Sequence, residues 1–109
     1  MARRSFQVVW AEAATRDLEE IISYIALDSK TNARKVLEKI KRKARSLRSS
    51  PQRGRVVPEF RDFELKTWRE LVVPPYRIIY RIAERKVLVN AVLDGRRDLQ
   101  DTLLGRLVR

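Results

Sequence analysis

The stretch from Arg69 to Leu99 constrains the fold more than any other part of this chain. Residues 69–82 read Arg-Glu-Leu-Val-Val-Pro-Pro-Tyr-Arg-Ile-Ile-Tyr-Arg-Ile. A polar break at Ala83–Lys86 follows, then Val-Leu-Val-Asn-Ala-Val-Leu, then Asp94-Gly95-Arg96-Arg97-Asp98-Leu99. Three short β-rich runs joined by tight connections make an antiparallel meander. Strand alternation sets Arg77, Ile79 and Arg81 on one face and Tyr76, Ile78, Tyr80 and Ile82 on the other. The second set is apolar or aromatic throughout and is expected to face the core. Tyr76 and Tyr80 then read as core residues whose hydroxyls reach an edge. The arginines are left on a surface that either sits in water or meets an anionic partner.

Charge sharpens that asymmetry. The 109 residues carry 25 Lys plus Arg against 14 Asp plus Glu, a net charge of +11, and 18 of the cations are arginine. A balance this basic favours polyanions or a very acidic protein as partners. Arginine's planar fork suits bidentate contacts to phosphate and carboxylate. The chain has no cysteine, which excludes disulfides and thiolate metal sites, and no histidine, the commonest acid–base group near neutrality. Catalysis, if any, must use carboxylates, tyrosines, lysines or arginines.

Ahead of the meander, Phe6–Trp10 reads as a strand. Leu18, Ile21, Ile22 and Ile25 then recur at helical spacing from Ala11 to about Ala26. Asp28-Ser29 or Thr31-Asn32 breaks this helix and caps a second one, from about Asn32 to Leu47, with Ala33, Leu37, Ile40, Ala44 and Leu47 on one face. So short a turn predicts an antiparallel helical hairpin. The first helix is acidic, whereas residues 30–55 hold eleven cations against the single acid Glu38. That density is either a solvated helix face or a binding surface. Residues 52–68 read as a loop with a short strand at Arg55–Val57. Asp98–Leu107 reads as a terminal helix with Leu99, Leu103 and Leu107 on one stripe.

The expected fold is a single α+β domain. An N-terminal strand and a two-helix antiparallel hairpin pack on a three- to four-stranded antiparallel sheet, and a short C-terminal helix follows. Its expected core includes Leu18, Ile21, Ile25, Leu37, Ile40, Ile78, Tyr80 and Val89. No secretory or membrane segment is visible, and a cytoplasmic location is expected.

This order and these strings resemble the RelE/ParE superfamily of toxins from type II toxin–antitoxin systems. The match runs from Val8-Val9-Trp10-Ala11-Glu12 through Leu47-Arg48-Ser49-Ser50-Pro51 and is densest over Arg69–Ile82 and Val92–Leu99. The resemblance implies a toxin neutralised by an acidic antitoxin in a hetero-oligomer, with no cofactor, metal or membrane involved. It also implies one of two targets. The RelE branch cleaves mRNA on the ribosome, and there Arg77, Arg81 and Arg97 would stabilise a phosphorane with Glu70 as general base. The plainer reading of Glu70 is a surface carboxylate paired with Arg69 or Arg77. The tyrosine that the RelE pattern carries on its terminal helix is Leu103 here. The ParE branch instead binds and poisons DNA gyrase, and its Arg-x-Asp-Leu string followed by a leucine-rich helix matches Arg96–Leu107 better. That ending makes gyrase the leading target, and Arg77, Arg97, Leu103 and Leu107 the expected toxicity surface. A plain nucleic-acid-binding domain working through the basic helix ranks third. As surface residues, Arg77 and Arg97 are expected to tolerate alanine within about 1 kcal/mol of stability. Glu70 and Asp94 are their expected counterions.

Overall fold

The computed structural model describes residues 5–63 and 67–95. The expected terminal helix, with Arg97, Leu103 and Leu107, lies outside the described residues. Strand β1 (Gln7–Trp10) leads into helix α1 (Glu12–Asp28), and α2 (Lys30–Arg45) follows after one residue. A 3-10 turn at Ser46–Arg48, the two-residue strand β2 (Arg55–Val56) and a 3-10 segment at Pro58–Phe63 come next. The meander is β3 (Trp68–Val73), β4 (Tyr76–Ala83) and β5 (Lys86–Asp94).

Ser29 alone turns the chain between the helices. Its extended backbone donates N–H to the Ile25 carbonyl at 3.0 Å, closing α1, while its Oγ accepts from Asn32 N–H at 3.0 Å, capping α2. One residue thereby satisfies orphan groups of two helices, which is why the hairpin needs no longer loop. Arg42, Lys43 and Arg45 fill the last turn of α2, where the helix dipole favours cations.

The sheet has five strands in the order β1-β5-β4-β3-β2. It is wider than the meander, because β1 joins parallel to β5 with Gln7 opposite Lys86 and Trp10 opposite Val89. The remaining pairs are antiparallel. Between β4 and β5 the register steps from Ile79↔Ala91 to Tyr80↔Val89, leaving Asn90 as the extra residue of a bulge. The bulge reverses the facing of β5 midway. Val87, Val89 and Val92 join the helix-side core, while Ala91 and Leu93 turn to the opposite face.

On the helix side Ala14, Leu18, Ile40 and Leu47 pack against Leu71, Ile78, Tyr80 and Val89. Ile21 and Leu37, also expected in the core, are half-buried and pack against it, and Ile25 is half-buried. The opposite face departs from the sequence reading. It is a second, smaller core, in which Val57, Phe60, Trp68, Ile79 and Ala91 close on one another. Irregular residues 57–60 cover it, so the face shared by Arg77 and Ile79 is largely shut off from water.

Candidate functional site

Alternation on β3 places Trp68, Glu70 and Val72 on that second face and Leu71 and Val73 on the helix side. The turn at Pro74-Pro75 sets Val73 opposite Tyr76, hence Val72 opposite Arg77 and Glu70 opposite Ile79. Glu70 and Arg77 are therefore diagonal neighbours on one face, within reach of long side chains. Arg55 of β2 lies directly opposite Glu70.

These positions build a closed ion-pair network. Arg77 Nε donates to Glu70 Oε1 at 2.8 Å, and Nη2 donates to the same oxygen. Nη1 and Nη2 also grip Glu59 Oε2 and Oε1 at 2.7 and 2.8 Å, a bidentate fork. Arg55 Nε and Nη2 both reach Glu70 Oε2 at 2.8 Å. Two guanidiniums thus balance two carboxylates. The Glu70 side chain is fully buried, that of Arg77 is 11% exposed, and that of Arg55 is 64% exposed. Four of the five guanidinium N–H groups of Arg77 are engaged.

Two expectations change here. Glu70 is a buried carboxylate, not a surface one, and its partners are Arg77 and Arg55. Arg69 cannot serve, because consecutive strand residues face opposite ways; its Nη1 donates to the Gly54 carbonyl at 2.7 Å instead. Nor is Arg77 left on an open surface with Arg81. Ile79 stands between them, and Arg81 lies exposed with its guanidinium 5.6 Å from the Trp68 ring centroid. Glu59 was missed because it stands in the irregular segment, where no periodicity indicates direction. Arg97 lies outside the described residues.

The network has a pH signature. Hydrogen bonds from Arg77 hold the Glu59 carboxyl below its ordinary value of 4.5, against the opposing effect of burial. The folded value is lower than the unfolded one, so Glu59 stabilises the fold fully above about pH 4.5 and less as pH falls through the lowered value. Urea midpoints across about pH 3–7 should therefore show an acid-side loss that Glu59→Gln reduces. An identical pH profile in the variant would remove Glu59 from the account.

Tyr80 carries a further polar group buried in the meander. Its hydroxyl donates to the Pro51 carbonyl at 2.8 Å and accepts from Gly54 N–H at 3.0 Å. Burial pushes its pKa up. Among the described residues no cluster of three or more Asp, Glu, His or Cys is placed to hold a metal ion, and no helix is long and apolar enough to cross a membrane.

Residues 8–99 match the family model described as ParE toxin of type II toxin-antitoxin system, parDE. The chain belongs to the RelE/ParE superfamily of type II toxins. A Caulobacter vibrioides protein named Toxin RelE2 is 40% identical to this toxin over 79 residues, 72% of this chain and 82% of that protein. The fold is similar to that of a solved chromosomal ParDE system from P. aeruginosa, with a TM-score of 0.66 at 20% identity over 82% of this chain and 95% of that one. The RelBE2 toxin–antitoxin complex from Mycobacterium tuberculosis gives a TM-score of 0.60 at 22% identity, over 85% and 94%. Both likenesses are of fold, and the fold is common to toxins named ParE and RelE.

Proposed function

We propose that this toxin acts by binding DNA gyrase and stopping replication, and that an acidic antitoxin holds it inactive. The observation that carries this reading is the closed network around Arg77. Cleavage of RNA needs a cation for the phosphorane, which the exposed Arg81 could supply, and a free acid–base group for the 2′-hydroxyl, which neither Glu70 nor Tyr80 is. Arg77 is committed to Glu59 and Glu70, both oxygens of Glu70 are engaged, and the Tyr80 hydroxyl is held by two backbone groups. The meander is thereby a rigid support, and the toxicity surface is assigned to Arg97, Leu103 and Leu107. Arg77 contributes to it by holding the sheet. An antitoxin fits the net charge of +11, which speeds association with an acidic chain and makes it salt-sensitive.

The 40% identity to the protein named Toxin RelE2 favours a second reading, ribosome-dependent mRNA cleavage by Arg77, Arg81 and Arg97 with Glu70 as base. Induced expression in bacteria separates the two. Gyrase poisoning should produce filaments and a DNA-damage response within a generation, relieved by co-expressing the antitoxin. Prompt cleavage of mRNA at ribosome-occupied codons without DNA damage would establish the second reading and reject the first.

A further inference from the structure

Helix α2 carries charge that the ion-pair network does not use, and the helix dipole accounts only for that of its last turn, Arg42, Lys43 and Arg45. Eight of its sixteen residues are Lys or Arg, against the single acid Glu38. All eight cations are exposed, and among the described residues none of them makes an ion pair. Helical geometry sorts them into two rows. At about 100° per residue, Lys30, Arg34, Lys41 and Arg45 fall along one flank, and Lys35, Lys39, Arg42 and Lys43 fall along the other, roughly 130° away. The crest between them holds Thr31 and Glu38, while Ala33, Ile40 and Ala44 are buried beneath. Across a groove of about 500 Å³, Arg53 extends the second row.

We propose that α2 is a duplex-DNA-binding element, seated along the major groove with one cation row on each phosphate backbone. The dimensions agree. An α-helix with side chains is about 10–12 Å across, the major groove is about 12 Å wide, and sixteen residues span about 24 Å. A peptide partner is a poorer fit, because the crest itself offers no apolar anchor; among the described residues the large exposed apolar side chains are Tyr24, Leu27 and Val72, and of these only Val72, across the Arg53 groove, lies beside a cation row. Single strands are a poorer fit too, since α2 has no aromatic ring on which a base can stack. Only Thr31 and Glu38 occupy the crest, so binding depends on phosphate position and not on base sequence.

The test uses the whole toxin, a fluorescent duplex of random sequence and no gyrase, so its failure and that of the gyrase reading are separate events. With six to eight phosphate contacts, log affinity should fall with log salt at a slope of roughly −5 to −7. The triple variant Lys35→Gln, Lys39→Gln, Lys43→Gln should lose about three of that slope and roughly 100-fold in affinity near physiological salt. Arg34→Gln, Lys41→Gln, Arg45→Gln should lose as much. The control Arg16→Gln, Arg85→Gln, Lys86→Gln removes equal charge elsewhere and should stay within about threefold. Equal losses in all three would reduce the effect to net charge and overturn the proposal. Dependence on one row alone would overturn the groove-straddling arrangement, as would single-stranded DNA binding as tightly as duplex. An acidic peptide that needs both rows while DNA does not would reassign α2 to a protein partner and reject the DNA reading.

Discussion

Arg77→Ala is expected to lower folding stability by about 3 kcal/mol, well beyond the cost of an ordinary surface change. The substitution leaves Glu70, whose side chain is fully buried, with Arg55 as its one remaining ion-pair partner among the described residues, and it removes the fork that grips Glu59. Removing one partner of a buried pair strands a charge in low dielectric, which typically costs about 3–5 kcal/mol; the surviving Arg55 contact places this case at the lower end. Two comparisons make the claim specific. Arg55→Ala should cost less than about 1 kcal/mol, because that side chain is mostly exposed and water screens its share. Combining Arg77→Met with Glu70→Gln should recover much of the loss, since no uncompensated charge then remains buried. Urea unfolding of the four proteins decides it. If Arg77→Ala unfolded at the wild-type midpoint, the guanidinium would not be a structural tie, and its role as a free phosphate ligand would regain its place.

Gly54→Ala is expected to be comparably damaging, by about 3 kcal/mol, at the high end for overpacking. Gly54 is buried where β2 meets β3. A Cβ there would lie 2.5 Å from the Tyr80 hydroxyl, 2.8 Å from Tyr80 Cε1 and 2.6 Å from the Glu70 carbonyl oxygen. A side chain can shift, but the carbonyl belongs to a paired strand, so β2 must move away from β3. That motion loosens the Gly54 N–H bond to Tyr80 and the Arg55–Glu70 contact together. Tyr80→Phe alone should cost about 1–2 kcal/mol through its lost hydrogen bonds. Added to Gly54→Ala, it should relieve only the side-chain part of the clash. A melting temperature for Gly54→Ala within a degree or two of wild type would show that β2 is not held as described.

Much of this architecture is legible in the chain because its signals are local and periodic. The spacing of Leu18, Ile21 and Ile25, the capping Ser29 and the alternation from Tyr76 to Ile82 each depend on neighbours a few residues away. The second core was not legible for the opposite reason. Ile79 is read as a surface residue until Val57 and Phe60, from an aperiodic segment, are seen to cover it. The Asn90 bulge likewise leaves no mark in the sequence, yet it decides which way Ala91 and Val92 face. At the candidate site the Glu70–Arg77 pair was half visible, since alternation and the Pro74-Pro75 turn place both on one face. Its burial and the fork to Glu59 depend on the fold of residues 55–63, which carries no repeat. The parallel pairing of β1 with β5 is long-range and was also beyond local pattern.

The most direct test of the account is DNA supercoiling by purified gyrase with this toxin added, alongside toe-printing of mRNA on ribosomes with the same preparation. Gyrase poisoning requires that supercoiling is inhibited in proportion to toxin, that adding the antitoxin restores it, and that ribosome-bound mRNA stays intact. Unimpaired supercoiling together with codon-specific cleavage on the ribosome would contradict it.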